Sequence, residues 1–494
     1  MKGKLVLLCV VALLVTAGLV FGAPYPKEIK IGICTAMSGG WAGFGKKPAG
    51  GFLAAIEHIN ALGGIKNLGG AKLVGVVGDD EADPGKGLIQ ADRLINQEKV
   101  VSIMGIWPTQ TPIAAQAERY QTPDIDVLGI AETWNRGYRW VFKNYARGED
   151  EADQEFAALQ EQCKLNNVPM PKTVYMEYIS DDCSTSSAAG FRTLCKKYGI
   201  KIVGDEVVDS SFTTFGPVLD RIEAAKPDML FALHYTPDAI VLYREIAERK
   251  MYFPYGIMSW GGGIEDDGFY FGSSPSAYAY AWVQENGDQL VWERPYFNYI
   301  NDTFKKKVGI DIDDSYPADT YSSVWQLKDA LERVKWDPDL KKFRSNLRDA
   351  IAATNITMDN GEKIKIPGTN KTFVPALEPF GWKFIRYDEN GITVDKPGIM
   401  SMNLGGVRCT IYPKWRAKLD SWGPMKIPLP LPTWDARESW PTYVHTVDEL
   451  KNIANQAPAQ KERWGVWGEA GQPLPGDVAV AEDRPSGKTR IDEP

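Results

Sequence analysis

Short apolar runs alternate with longer amphipathic stretches from Ile29 to Trp260, and no other feature of the chain limits its fold as strongly. This alternation predicts parallel strands joined by crossover helices. The first series has predicted strands at 29–34, 72–77, 100–105 and 125–129, with helices at 51–62, 85–97 and 112–119. The pattern is typical of a doubly wound α/β unit.

A second series of the same kind begins after residues 144–150. Its predicted helices cover 151–165, 184–198, 215–225 and 237–250, and its strands cover 173–179, 201–207, 229–234 and 255–259. Further helices are predicted at 296–308, 316–334 and 343–353, before strands return near 382–388 and 407–412. Two successive doubly wound units predict that a ligand binds where the carboxyl ends of their strands face each other.

The amino terminus has the layout of a secretory signal peptide. Lys2 and Lys4 precede an unbroken apolar run from Leu5 to Phe21, and we place the cleavage site after Gly22. The alternative is an uncleaved membrane anchor, but this run is at the short limit for a membrane span. We expect a periplasmic protein that is soluble after cleavage. Loss of the two lysines changes the net charge from −8 to −10, and an acidic exported protein is not expected to bind nucleic acid.

Five cysteines remain after cleavage, namely Cys34, Cys163, Cys183, Cys195 and Cys409. Export permits disulfides, but the odd number leaves at least one thiol free, and the spacing is no disulfide framework. Cys163 and Cys195 both lie near the ends of predicted helices of one unit. A disulfide between these two is the expected pairing.

The chain offers little support for catalysis. Its three histidines, His58, His234 and His445, stand in no metal-binding spacing, and there is no G-x-S-x-G nucleophile motif. Residues 486–489 resemble the end of a phosphate-binding loop, but Glu482 occupies the position that requires the first glycine. We therefore predict no enzyme, no cofactor and no metal.

Several motifs occur in an order that is more specific than any one of them. The segment 29–45, IKIGICTAMSGGWAGFG, is followed by NALGGI at 60–65 and GDDEADP at 78–84. YTPD at 235–238 and TIYP at 410–413 extend the series. Over residues 28–415 the chain resembles the leucine/isoleucine/valine-binding protein family. The resemblance implies a type I periplasmic-binding fold in which a three-strand hinge joins two lobes, and small-solute import through an ABC permease and ATPase.

This resemblance sets the expected domain boundaries. Residues 1–22 are the signal peptide, 28–146 and 285–380 form lobe one, and 147–284 and 381–415 form lobe two. The Pro/Trp-rich residues 416–494 form a C-terminal extension that wraps the lobes and ends in a disordered tail.

A hydroxyl residue and backbone N–H groups at the start of a helix form a ready anion site. Thr109, Gln110 and Thr111 stand at such a place, and the segment 105–109 is similar to the family loop that holds a ligand carboxylate. The alternative is that Thr109 or Thr111 simply caps the helix. Ala131 and Thr133 match the family's A-x-T loop, which implies that they contact an amino-acid headgroup.

Aromatic residues are predicted to form the wall for an apolar part of the ligand. Trp41, Phe44, Trp107 and Trp134 fall in loops at the mouth of lobe one, and Tyr235 and Trp260 are expected to face them. The alternative for each is an ordinary core position.

The chain departs from the family after residue 259, where amino-acid-binding members often carry an acidic residue and this chain has Trp260. A buried ammonium without a counter-charge is costly. Either Glu132 or the acidic cluster 265–267 replaces the missing acid, or the ligand has no ammonium. Asp182 and Ser184 stand where a family tyrosine is expected, and they contact the ligand or cap the following helix.

These observations predict an extracytoplasmic solute-binding protein of an ABC importer, which captures a small carboxylate-, amide- or amino-acid-type ligand between two closing lobes. We expect a monomer. The alternative is a ligand-sensing receptor subunit that signals through a partner membrane protein.

Overall fold

The computed structural model describes residues 24–127, 136–144, 148–208, 214–265, 269, 272–273, 278, 280–285, 294–393, 399–404, 407–412 and 426–436. Within them, no helix is long and apolar enough to cross a membrane.

The first sheet has five parallel strands in the order β2-β1-β3-β4-β5. These strands are β1 Glu28–Thr35, β2 Lys72–Asp79, β3 Ile103–Gly105, β4 Asp124–Asp126 and β5 Val141–Lys143. The crossover helices are α1 Ala42–Ala61, α2 Pro84–Asp92, which continues as a π-turn over Arg93–Gln97, and α3 Gln110–Arg119. The central strand pair, β1 and β3, is almost fully buried, as expected when helices cover both faces.

The second sheet is built from the next part of the chain. Its parallel strands are β6 Thr173–Ile179, β7 Lys201–Val208, β8 Met229–Leu233, β9 Ile257–Trp260 and β10 Trp282–Glu285. Its helices are α4 Gly148–Asn166, α5 Asp182–Tyr198, α6 Gly216–Ala225, α7 Thr236–Glu248 and the short α8 Gly261–Ile264.

The remaining elements complete both lobes. They are helices α9 Phe297–Val308, α10 Tyr316–Arg333 and α11 Leu340–Ala352, and strands β11 Asn355–Thr357, β12 Ile364–Lys365, β13 Thr372–Phe373, β14 Phe384–Arg386, β15 Ile399–Leu404 and β16 Val407–Tyr412. Helices α9, α10 and α11 join the apolar core of the first sheet. Strands β15 and β16 join the second sheet as an antiparallel edge, giving the order β16-β15-β10-β9-β8-β6-β7.

The chain passes between the lobes three times, after β5, after β10 and after β14. The first and third crossings lie side by side, because Lys143 pairs with Ile392 and its N–H donates to the carbonyl of Gly391. Asn144, the next residue of the first crossing, donates from Nδ2 to the Ser323 hydroxyl on α10 at 2.7 Å. These contacts tie the hinge to lobe one.

Helix α1 begins at Ala42, so the predicted start at residue 51 is wrong. The prediction failed because Pro48 and the flanking glycines are unfavourable within a helix. The glycines are needed because neighbouring backbone lies too close to α1 to leave room for a side chain at these positions. A Cβ on Gly45 would lie 2.0 Å from the carbonyl oxygen of Ala36, and one on Gly51 would lie 2.1 Å from that of Pro317.

The expected disulfide between Cys163 and Cys195 is also wrong, since both thiols are free. Each side chain is buried in the apolar core of lobe two, on α4 and α5 respectively. There they pack as small apolar groups.

Residues 426–436 form a C-terminal segment that packs on lobe two. Ile427 donates to Gln162 at 2.9 Å, and Leu431 donates to the carbonyl of Pro254 at 2.8 Å. The side chains of Ile427, Leu429 and Leu431 are buried in the same core cluster as Trp282. Trp434 donates from Nε1 to the carbonyl of Met251 at 2.7 Å. This segment therefore contributes apolar core to lobe two.

Candidate functional site

Aromatic side chains from both lobes meet where the strand carboxyl ends face each other. We call them the aromatic cluster, which consists of Trp41, Phe44, Trp107, Tyr235, Trp260 and Tyr316. Trp41 and Trp107 lie in the loops after β1 and β3, as predicted, whereas Phe44 lies in the first turn of α1. Tyr235 and Trp260 follow β8 and end β9, and Tyr316 begins α10.

The aromatic cluster is continuous across the two lobes. Trp107 packs on Tyr235 with ring centroids 4.4 Å apart and an interplanar angle of 31°. Trp41 contacts the same two rings edge-on, at 5.0 and 5.6 Å. Tyr235 in turn packs on Trp260 at 5.3 Å. Ring pairs in these arrangements attract each other beyond the burial of their area, so they favour the approach of the lobes.

Gly262 and Gly263, which follow Trp260, allow close packing on this side of the cleft. Trp260 donates from Nε1 to the carbonyl of His234 at 2.9 Å. A Cβ on Gly263 would lie 1.8 Å from that same carbonyl oxygen, and one on Gly262 would lie 3.2 Å from the Tyr316 hydroxyl. A side chain at Gly263 would therefore displace this backbone, and one at Gly262 would crowd Tyr316.

On the lobe-two side of the cleft, the Asp181 carboxylate accepts hydrogen bonds from two neighbouring residues, Ser184 and Tyr235. Its carboxylate accepts from the Ser184 N–H at 2.9 Å and from the Ser184 hydroxyl at 3.0 Å, which caps α5. Asp181 also accepts a hydrogen bond from Tyr235, whose pKa is raised first by burial and then by nearby groups, Asp181 foremost. Ser184 itself is buried, and Asp182 lies in the first turn of α5. The structure thus places the capping role on Asp181, rather than on Asp182 or Ser184, and Ser184 supplies the donors that Asp181 accepts.

At the predicted anion site, at the start of α3, the hydroxyl and N–H of Thr109 already donate hydrogen bonds to other groups of the protein. The Thr109 hydroxyl donates to Asp80 Oδ2 at 2.5 Å, and the Thr109 N–H donates to the carbonyl of Ile106 at 3.1 Å. Gln110 is buried and its side chain bonds to Asp126, while Thr111 is half-buried. The three residues lie together at the cleft end of lobe one, beside Trp107.

Three carboxyl groups are buried behind this helix end. Burial raises the pKa of Asp80, and it raises that of Asp124 to about 7. Burial and the neighbouring Asp124 raise the pKa of Asp126. Lys143 is buried nearby, and its pKa is lowered by burial against the opposing effect of Asp126. A low-dielectric interior disfavours charge on each of these groups.

Glu265 lies at the other end of the aromatic cluster. Its carboxylate is buried, and the Ser315 hydroxyl lies 3.4 and 3.5 Å from its two oxygens. Burial raises the pKa of Tyr316, and the charge of Glu265 raises it further. Glu265 belongs to the acidic cluster 265–267. From the sequence, this cluster is one possible replacement for the acidic residue that family members often carry after position 259.

Four of the predicted site residues are not among those that the structure describes. Ala131, Glu132, Thr133 and Trp134 lie outside the described residues, as do positions 266 and 267. Among the residues that the structure covers, no group of three or more His, Cys, Asp or Glu side chains is arranged to hold a metal ion.

Sequence reasoning missed Tyr316, Asp181 and Asp80 as neighbours of the site. Tyr316 stands at a predicted helix start just before Pro317, and Asp80 belongs to the GDDEADP motif. A signal was therefore present for both, because the starts of helices and the carboxyl ends of strands meet at the cleft in this kind of fold.

Comparisons with known proteins cover most of the described chain. A family model for "Periplasmic binding protein" matches residues 28–371. The Leu/Ile/Val-binding protein homolog 7 of Brucella suis biovar 1 (strain 1330) is 29% identical over 258 residues. That alignment covers 51% of this chain and spans 63% of the relative's length.

Solved structures show the same architecture at lower identity. A leucine-binding protein, LivK, from Thermotoga maritima MSB8 superposes with a TM-score of 0.59 at 19% identity, covering 77% of this chain and 97% of that one. A solute-binding protein of an ABC transporter from R. palustris, in complex with benzoate, superposes with a TM-score of 0.59 at 16% identity. That superposition covers 78% of this chain and 95% of the other.

Proposed function

The chain belongs to the periplasmic binding protein family, and on that premise we propose that it is the extracytoplasmic solute-binding protein of an ABC importer. The predicted family and type I periplasmic-binding fold are confirmed, and the matched relatives are binding proteins rather than enzymes. In this proposal a small carboxylate-, amide- or amino-acid-type ligand is captured between two closing lobes. The closed form is then recognised by a permease and its ATPase.

The observation that carries this proposal is the contact between Trp107 and Tyr235. These residues come from different lobes and pack at 4.4 Å, which leaves no space for a solute between the rings. A ligand therefore enters only when the lobes part at the hinge. Closure then brings aromatic surface from both lobes onto the ligand, and this additional contact stabilises the closed state.

The named ligands of related structures guide the choice of ligand class. LivK is named for leucine, and the R. palustris protein was solved with benzoate. Both compounds are small carboxylates with an apolar part. The aromatic cluster of this chain supplies a matching apolar surface.

The remaining site assignments belong to the same proposal. Thr109, Gln110 and Thr111 border the ligand on lobe one, together with the loop that contains Ala131, Glu132, Thr133 and Trp134. Asp182 and Ser184 border it on lobe two. Lobe one comprises 28–146 and 285–380, and lobe two comprises 147–284 and 381–415. Removal of residues 1–22 releases a monomer into the periplasm.

The test is a thermal-shift screen of the chain without residues 1–22 against amino acids, small carboxylates and amides, followed by X-ray scattering with each hit. A bound solute raises the melting temperature because it stabilises only the folded state. We expect the hit also to reduce the radius of gyration. A hit that leaves the scattering curve unchanged contradicts closure, and the absence of any hit contradicts solute capture.

The importer role needs a separate measurement. We expect the closed protein to stimulate ATP hydrolysis by a reconstituted ABC permease and ATPase pair. Stimulation of a membrane-bound kinase or chemoreceptor, with no effect on any importer, would instead support the sensor function.

A further inference from the structure

We propose that the buried pair of Glu177 and His234 positions Tyr235 and Trp260, the lobe-two rings of the aromatic cluster, for closure onto a ligand. In this proposal neither member of the pair touches the ligand itself. The role in binding rests on the proposed function, whereas the hold on the two rings can be measured without any ligand.

The pair lies inside lobe two, behind the wall of the cleft. Glu177 is in β6 and is fully buried, and His234 directly follows β8 with 2% of its surface exposed. His234 Nε2 lies 2.7 Å from both carboxylate oxygens of Glu177. Because a carboxylate only accepts, Nε2 carries a proton and donates a hydrogen bond that the two oxygens share.

The surroundings of this pair are apolar. Leu230 and Ala232 precede His234 on the same face of β8, Ile179 follows Glu177 on the same face of β6, and all three belong to one apolar core. Charged groups lose hydration in such a place, and an apolar pair of similar volume is often equally stable or more so. Stability alone therefore does not account for a charged pair at this position.

Glu177 fixes the orientation of the His234 ring. The other ring nitrogen, Nδ1, is buried and has no hydrogen-bond partner among the residues that the structure describes. Phe215 meets the ring edge-on with the centroids 5.0 Å apart, which is a packing contact. Without Glu177, packing alone would hold the ring in this part of the structure.

The backbone of His234 connects the pair to the cleft. Its carbonyl accepts from Trp260 Nε1 at 2.9 Å, and the next residue in the chain is Tyr235. A Cβ on Gly263 would lie 1.8 Å from the same carbonyl oxygen, so the backbone of α8 also packs directly on it. Tyr235 in turn contacts Trp107 of lobe one at 4.4 Å. A shift at residue 234 therefore reaches both lobe-two rings.

The hold on the rings is tested by hydrogen exchange of the Trp260 indole N–H, followed by NMR on the chain without residues 1–22. Trp260→Phe assigns the signal, because it removes that indole N–H. A buried, hydrogen-bonded N–H exchanges only when its surroundings open locally. The exchange rate thus reports how firmly the carbonyl of His234 holds Trp260.

His234→Gln and His234→Asn form a matched pair for this measurement. Both side chains are uncharged amides, but only glutamine is long enough to bring an N–H near the position of Nε2 and donate to Glu177. Both also remove the charge of His234, which lowers the pKa of Asp238 against the larger, raising effect of burial. We expect H234Q to exchange within about threefold of wild type and H234N at least about tenfold faster.

The double variant Glu177→Met, His234→Leu separates positioning from stability. It replaces the pair by apolar side chains, and we expect its melting temperature to equal or exceed that of wild type. Its Trp260 indole should nonetheless exchange at least about tenfold faster, and its affinity for a solute found in the screen should fall by about tenfold or more. A purely structural pair would change the melting temperature and neither of these readouts. If the double variant fails to fold, H234Q and H234N still decide.

The matched control is His58→Leu in lobe one. His58 is also buried, and its two ring nitrogens lie 2.9 Å from the hydroxyls of Tyr321 and Thr303. It stands about 24 Å along α1 from Ala42, where this helix begins at the cleft. We expect H58L to lower the melting temperature and to leave solute affinity and Trp260 exchange unchanged.

The results separate this inference from the proposed function. Equal exchange in H234Q and H234N, or wild-type exchange in the double variant, overturns the inference and leaves solute capture intact. Faster exchange with unchanged solute affinity also overturns it, because the position of the rings would then not affect binding. If no solute binds the wild type, the proposed function fails, and the exchange rates alone decide whether the pair holds the rings.

Discussion

Trp107 and Tyr235 pack ring on ring across the cleft, at 4.4 Å and 31°, although they are 128 positions apart and belong to different sheets. Each ring also contacts Trp41. The pair is therefore part of the surface that joins the lobes and, in our proposal, part of the surface that contacts ligand.

Replacement of either ring should weaken solute binding because it removes contact surface from the closed state. We expect Trp107→Ala and Tyr235→Ala each to reduce affinity for a screening hit by tenfold or more. The double variant should lose less than the sum, with a coupling of about 0.5–1.5 kcal/mol from the ring pair. Trp336→Ala serves as the control, since Trp336 packs on Phe343 away from the cleft. Strict additivity of the two cleft variants would argue against a direct contact in solution.

Cys183 should report closure through its chemical reactivity. It is half-buried at the first turn of α5, close enough to influence both Tyr235 and Tyr316. Burial raises the pKa of Cys34 well above its usual value, that of Cys163 to about 11 and that of Cys195 to about 12. These three thiols should stay protonated and unreactive near pH 8.

In a mature chain that also carries Cys409→Ser, which removes the remaining thiol whose side chain the structure does not describe, we expect one fast-reacting thiol with Ellman's reagent, and a bound solute should slow it by about tenfold or more. The Cys183→Ser variant identifies that thiol, because it should lose the fast phase. A fast phase that persists in the variant, or that a tight-binding solute leaves unaffected, would contradict the placement of Cys183 at the cleft.

The buried carboxyl of Asp124 should make stability fall as pH rises. Burial raises its pKa in the folded state to about 7, above the ordinary value of about 3.9 in an unfolded chain. The stability it contributes is complete below about pH 4 and is lost as pH rises through about 7. Asp124→Asn keeps an oxygen for the Gly105 N–H and removes the titration. The free energy of unfolding of D124N relative to wild type should therefore increase between pH 4 and pH 8, as measured by urea denaturation. A difference that does not change with pH would contradict this account.

The C-terminal segment should stabilise lobe two. Leu431 is buried in the lobe-two core and packs close to Gly256. Leu431→Ala should cost about 2–4 kcal/mol through lost burial and a cavity. Calorimetry should show a melting temperature lower by about 5–15 °C. The control is Lys250→Ala, which breaks only the exposed ion pair with Asp435 and should leave the melting temperature nearly unchanged. Equal melting temperatures for L431A and wild type would mean that the segment does not pack on lobe two in solution.

The elements of the two sheets were largely predictable because apolar periodicity is a local property. Strand β6 begins and ends where the sequence predicts, at Thr173 and Ile179. Strands β5, β10 and β15 were missed, because β5 is only three residues long and β10 and β15 are held by pairing with each other and with β9 and β16. Pairing between strands that are distant in the sequence is not visible in the local apolar periodicity.

The site was predictable in position but less so in chemistry. The loops that carry Trp41, Trp107 and Tyr235 were placed from strand ends alone, and the fold brings all three together. The partners of Thr109 were not predictable, because Asp80 is 29 residues away and reaches the hydroxyl only through the parallel arrangement of β2 and β3 around β1. The contact of Tyr316 with Phe44, at 4.7 Å, likewise depends on how α10 packs against α1.

Helix α10 carries Tyr316 at the cleft and Ser323, the partner of Asn144, at the hinge. The two residues are seven positions apart on one helix, which is about 10 Å along its axis. Almost every side chain of α10 is buried in the core of lobe one, so its two ends move as one body with that lobe. The cleft wall at Tyr316 and the hinge contact at Ser323 therefore keep a fixed spacing whether the lobes are apart or together.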